Sequence, residues 1–122
     1  MIDQLFRFGM VGVAALLVHW CLATFVIWRG MQPLLGNFLG FIVAFGVSYF
    51  GHRYITFATR DTHHSQTLPR FVVVAVTGFC VNQLMFYLLL RYTTIHYALS
   101  LFLVLGAVAA MTFVLSKTWA FR

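Results

Sequence analysis

Charge is what this sequence has least of. Only 8% of its 122 residues are charged, and eight lysines and arginines face just two carboxylates, Asp3 and Asp61. Soluble domains carry about 25% charged residues, so with 62% hydrophobic residues a water-soluble domain is excluded. Neither carboxylate lies in an apolar run, which argues against a carboxylate-based proton antiporter. There is no carboxylate pair and no nucleophile with a matching base, so catalytic residues are expected to be none and the chain is expected not to be an enzyme. No glycine-rich loop ending in Lys-Ser/Thr is present to grip a nucleotide phosphate, so ATP drive and cofactors are not expected. The two cysteines, Cys21 and Cys80, lie inside apolar runs, where a thiol packs as a small hydrophobe. His63 and His64 are adjacent, with no cysteine or carboxylate cluster, and fit no common metal site.

What the sequence does have is four apolar runs, Phe8 to Trp28, Leu34 to Phe50, Phe71 to Leu90 and Ala98 to Leu115. Each is close to the ~17 to 25 residues with which a helix crosses a ~30 Å hydrocarbon layer. The expected fold is an all-α membrane protein of four transmembrane helices. The first run is longer than the apolar core of a signal peptide, is interrupted by His19, and lacks a small-x-small site after it, so it is expected to remain in the protein. Arg7, Arg53, Arg60, Arg70, Lys117 and Arg122 fall on one side of the membrane, against Arg29 and Arg91 on the other. The cytoplasmic excess of Lys and Arg then places both termini and the central loop in the cytoplasm. The net charge of +6 points to anionic headgroups and membrane lipids as partners. A nucleic-acid partner would need a solvated basic surface, which four membrane helices leave no room for.

The two halves resemble each other. Leu5-Phe6-Arg7-Phe8 matches Leu68-Pro69-Arg70-Phe71 at an offset of 63 residues, and His52-Arg53-Tyr54-Ile55-Thr56-Phe57 matches Ser116-Lys117-Thr118-Trp119-Ala120-Phe121 at 64. Residues 1–122 are read as a single transmembrane domain: a hairpin repeat over 5–57, a cytoplasmic loop over 58–67, and a second hairpin repeat over 68–122. Two hairpins in one orientation make a parallel repeat about an axis along the membrane normal.

Arg7-Phe8-Gly9-Met10-Val11-Gly12, its weaker copy Arg70-Phe71-Val72-Val73-Val74-Ala75, and the two endings resemble the GtrA-like family of small four-helix bacterial membrane proteins, over nearly the whole chain. The family's endings read Asn-Arg/Lys-x-Trp-x-Phe; here His52 and Ser116 stand in place of the asparagine and Ile55 in place of the first tryptophan. The resemblance implies translocation of a polyprenyl-phosphate-linked monosaccharide, such as undecaprenyl-phosphate glucose, across the bacterial inner membrane for cell-surface polysaccharide. The rival expectation is a membrane scaffold that recruits a polyprenyl-phosphate glycosyltransferase; a homo-oligomer is expected in either case.

Arg53, Lys117, Arg7 and Arg70 each stand within a turn or two of a membrane boundary, where the fork of arginine suits a lipid phosphate. The alternative is that they are topology signals and snorkelling anchors. Tyr54, Phe57, Trp119 and Phe121 follow them as an aromatic belt, with Trp119 also suited to stacking on a sugar. His19 lies eleven residues past Phe8 and Asn82 eleven past Phe71, near mid-membrane. With Gln83 beside Asn82, they either line a sugar path or hydrogen-bond between helices. Asn37 is either the outer exit of that path or a partner for loop carbonyls. Gly36, Gly40, Ala44 and Ser48, spaced by four, make a close-packing seam that leads to His52, and Gly106 with Ala110 a shorter one.

Overall fold

The structure, a computed structural model, describes residues 2–56 and 64–120. Phe57, His63, most of the expected cytoplasmic loop with Arg60 and Asp61, and the terminal Phe121 and Arg122 lie outside the described residues. Four helices follow one another: α1 (Ile2–Trp28), α2 (Pro33–Gly51), α3 (His64–Tyr92) and α4 (Tyr97–Leu115). Each contains or begins a span apolar enough to cross a membrane: Phe6–Trp28, Pro33–Ile55, Pro69–Tyr92 and Tyr97–Trp119. The protein is a multi-pass, four-helix membrane protein. In hydrocarbon a backbone has no water to satisfy it, so the chain must take its hydrogen bonds internally, and helices of this length do so.

The helix does not stop where the apolar run does. At His52–Thr56 and at Ser116–Ala120 the path widens into a π-helical turn, so α2 and α4 are extended at corresponding positions of the two halves. The ends near these π-turns, together with the starts of α1 and α3, form one end of the bundle; the short connections form the other. At that connector end α1 closes in a Schellman motif. Gly30, at a positive φ of 107°, donates to the Ile27 carbonyl at 3.0 Å and Met31 to the Val26 carbonyl at 2.9 Å. Pro33 opens α2 just behind Gln32, whose side chain accepts from the Leu35 N–H at 3.0 Å. His96 opens α4 in the same manner, its Nδ1 accepting from the Ala98 N–H at 3.1 Å.

Helix α1 packs most extensively on α2, and α3 on α4; α1 against α4 and α2 against α3 close the bundle. Gly36, Gly40 and Ala44 are buried in the α1–α2 contact. A Cβ added at Gly40 would stand 2.7 Å from the His19 carbonyl oxygen, and one at Gly36 would stand 2.8 Å from Ile27 Cγ1, so the expected seam is a true close approach of backbones. The shorter seam expected on α4 is not there. Gly106 and Ala110 face outward, with open space around Gly106, and α4 buries Ser100, Leu101, Val104, Leu105 and Val108 instead. A spacing of four fixes a face, but not which face turns inward. Cys21 and Cys80 are likewise exposed on the outer surface, not packed inside.

The two hairpins bury corresponding positions. Val11 and Val74, Ala15 and Gly78, His19 and Asn82, Ala23 and Phe86 are buried at an offset of 63 residues. Gly36 and Ser100, Asn37 and Leu101, Gly40 and Val104, Ala44 and Val108 are buried at 64. Toward the connector end the interior is filled by Ala23, Ile27, Phe86, Leu101 and Val104, with Trp20 and Leu89 packed on them. The π-turn half of the interior is not filled.

Candidate functional site

A cavity of about 160 Å³ occupies the π-turn half of the bundle, lined by all four helices. Its wall is built in matched pairs: Phe8 and Phe71, Gly12 and Ala75, Ala15 and Gly78, Leu16 and Phe79, and His19 and Asn82 from α1 and α3. Phe41 and Leu105, Ala44 and Val108, Phe45 and Ala109, and Ser48 and Thr112 come from α2 and α4. The cavity therefore straddles the line about which the hairpins correspond. Small residues at Gly12, Ala15, Ala44, Ala75 and Gly78 leave the space; a Cβ at Gly12 would touch nothing within 4 Å.

The floor is polar. His19 is 5% exposed and Asn82 3%, and between them stands the fully buried Asn37 of α2. His19 Nε2 donates to Asn37 Oδ1 at 2.6 Å, and Asn37 Nδ2 donates to Asn82 Oδ1 at 2.7 Å and to Gln83 Oε1 at 2.9 Å. One amide thus joins three helices and spends both of its N–H groups. Asn37 bonds side chains in the bundle and not the loop carbonyls that its place in the sequence suggests.

Just beyond the floor, two further bonds tie the hairpins together. Trp20 Nε1 of α1 donates to the Ala98 carbonyl of α4 at 2.8 Å, and Gln83 Nε2 of α3 donates to the Leu34 carbonyl of α2 at 3.0 Å. Trp20 corresponds to Gln83 in the repeat and Ala98 to Leu34, so one latch is made twice with different side chains. Nothing in the residue types of Trp20 singles it out, but the 63-residue offset, which aligns it with Gln83, would have done so.

At the other end His52, 4% exposed, lies between the two phenylalanines of the repeated Arg-Phe openings. Its ring stacks on Phe8 with centroids 4.3 Å apart and meets Phe71 edge-on at 6.2 Å. Across the hairpins Phe8 packs edge-on against Phe113 at 4.7 Å, and Phe71 lies tilted against Tyr49 at 5.6 Å, again a corresponding pair. Arg53, next to His52, is also 4% exposed, with Cζ 5.7 Å from the Tyr54 ring centroid. Lys117 occupies the matching place but is exposed, its Nζ 5.9 Å over the Phe113 ring. The two cations share a position in the repeat and differ in surroundings. Arg7 is half-buried and Arg70 exposed.

Of the residues singled out in the sequence, His19, Asn82, Ser48 and His52 line the cavity. Asn37 and Gln83 stand behind its floor as hydrogen-bond partners. Trp119 is exposed and away from the cavity, and the Ser116 side chain lies outside the described residues. Phe8, Phe71 and Thr112 line the cavity without having been singled out for it. Thr112 is the repeat counterpart of Ser48, and the two phenylalanines belong to the repeated openings. Among the described residues no cluster of three metal-binding side chains occurs.

A family model described as GtrA/DPMS, transmembrane domain, matches residues 7–121. No curated protein and no solved structure matches the chain.

Proposed function

This chain belongs to the GtrA/DPMS transmembrane-domain family, whose members are membrane proteins connected with polyprenyl-phosphate sugars. From that premise we propose that it moves a polyprenyl-phosphate-linked monosaccharide across the bacterial inner membrane, as a translocator and not an enzyme. The observation that carries the reading is the cavity itself. It is roomy, shared by both hairpins, polar at its floor, and placed beside the π-turns that carry Arg53 and Lys117. Its volume of about 160 Å³ is on the order of ten water-sized spheres, enough to admit one sugar ring.

In this reading both termini face the cytoplasm, so that loading takes place at the π-turn end. Arg53 and Lys117 hold the phosphate at the headgroups, with Arg7 and Arg70 adding positive field. The sugar enters between Phe8 and Phe71 and moves toward His19 and Asn82, while the isoprenoid chain stays in lipid. A bare charge at mid-membrane costs at least ~2.5 to 3.5 kcal/mol; neutralising and hydrating the phosphate on its way is the work the protein does. Net direction comes from consumption of the lipid on the far side, for surface polysaccharide. A homo-oligomer fits a bundle this small.

The test is reconstitution of the purified protein in liposomes with a labelled polyprenyl-phosphate hexose. Crossing should be faster than in empty vesicles, and Arg53→Gln combined with Lys117→Gln should remove the acceleration while Arg53→Lys retains part of it. Crossing no faster than in empty vesicles would sink the proposal, and co-purification with a polyprenyl-phosphate glycosyltransferase would then favour an accessory subunit.

A further inference from the structure

The polar floor has a property that neither the family nor the cavity's size requires. Asn37 accepts from His19 Nε2, so the proton of the His19 ring sits on Nε2 and Nδ1 is left as an acceptor. Asn82 spends Oδ1 on Asn37, so its Nδ2 is left as a donor. Neither Nδ1 of His19 nor Nδ2 of Asn82 has a hydrogen-bond partner among the described residues, and neither is sealed away from open space. Both side chains are more than nine-tenths buried, and both line the cavity.

We infer that His19 Nδ1 and Asn82 Nδ2 form a donor–acceptor pair that seats the hydroxyl edge of an uncharged sugar and discriminates against charged ones. This rests on the translocation reading above. A sugar hydroxyl both donates and accepts, so a neighbouring pair of hydroxyls satisfies both atoms at once: one donates to Nδ1, the other accepts from Nδ2. A uronic acid keeps hydroxyls that can meet both atoms, but its carboxylate would meet no cation there, because no Lys or Arg among the described residues lines the cavity. An amino sugar brings an ammonium, which can use Nδ1 but finds no carboxylate among the described residues of the wall to hold its charge. At this depth a charge without a partner is costly. Asn37 is the positioning residue: with its acceptor on His19 and its donors on α3, it fixes which atom of each neighbour is left over.

The experiment joins transport to a direct view of the ring. Liposomes carry one of three lipids, a polyprenyl-phosphate hexose, its uronic-acid counterpart or its amino-sugar counterpart, and crossing is timed. In parallel the protein, labelled with ¹⁵N-histidine in nanodiscs, is titrated with each lipid and with bare polyprenyl phosphate. The neutral lipid should cross at least tenfold faster than either charged one. It alone should move the Nδ1 resonance of His19, which in the free protein should report the Nε2–H tautomer. Asn82→Asp turns the donor into a negative acceptor; it should slow the hexose lipid at least tenfold and raise amino-sugar crossing relative to it. Equal crossing of all three lipids, or hexose crossing with no movement of Nδ1, overturns the inference and leaves translocation standing. Movement of Nδ1 by the hexose lipid alone with no crossing upholds the floor and refutes translocation. If the hexose lipid neither crosses nor moves Nδ1, both fail. The titration of the unsubstituted protein decides the matter even if Asn82→Asp does not fold.

Discussion

Replacing Asn37 by leucine tests the floor more sharply than any other single change. Leucine is the fair replacement because the corresponding position in the other hairpin, Leu101, is already a fully buried leucine. The substitution removes three side-chain hydrogen bonds, at 2.6, 2.7 and 2.9 Å, and strands a histidine N–H and two amide oxygens. Interhelical side-chain bonds in membranes average ~0.6 kcal/mol and reach ~1.7, so the loss should total about 2 to 5 kcal/mol. Asn82→Leu removes one of these bonds, and Gln83→Leu removes one of them together with the bond to the Leu34 carbonyl. Equilibrium unfolding in mixed micelles, titrated with a denaturing detergent, should then rank the losses Asn82→Leu, Gln83→Leu, Asn37→Leu in increasing order. The Asn37→Leu/Asn82→Leu double variant should be about 1 kcal/mol more stable than the sum of the single losses predicts, because the two share a bond. If Asn37→Leu costs less than about 1 kcal/mol, or ranks below Asn82→Leu, the amide is not the hub of the floor, and the assignment of the leftover atoms falls with it.

The glycines give a contrast. Gly40→Ala drives a methyl against the His19 backbone at 2.7 Å and should destabilise by about 1 to 3 kcal/mol in the same unfolding assay, whereas Gly106→Ala meets nothing and should be neutral or mildly stabilising. Trp20→Phe keeps an aromatic body and loses only the bond to the Ala98 carbonyl; it should cost on the order of 1 kcal/mol, and hydrogen exchange should rise at the connector end before the π-turn end. Single cysteines placed between residues 60 and 66 should be labelled by an impermeant thiol reagent only from the cytoplasmic face, and labelling from outside would reverse the orientation.

How much of this could be read from the residues alone follows from which forces are local. Four spans were legible because membrane crossing depends on the summed hydropathy of a contiguous segment, and hydrocarbon leaves the backbone no alternative to a helix. The polar residues that matter, His19, Asn37, Asn82 and Gln83, were also legible, since each is conspicuous in an apolar run. Their partners were not. His19 and Asn37 are 18 residues apart and Asn37 and Asn82 45, and only the packing of α1 on α2 and of α2 on α3 brings them together. The seams at Gly40 and Gly106 look alike as spacing, yet one faces a neighbouring backbone and the other open space. Arg53 and Lys117 are equivalent in the repeat, yet one is buried and the other exposed.

By itself, then, the sequence determined that the chain crosses the membrane four times, and where along each crossing the polar groups stand. The tertiary structure decided which helix faces turn inward, that small residues on all four helices leave a cavity between the hairpins, and which two polar atoms at its floor have no partner among the described residues. Hydropathy and helix formation are settled within a segment. A hydrogen bond between helices is settled only when two distant segments meet, and the atom left over is set by the one already used.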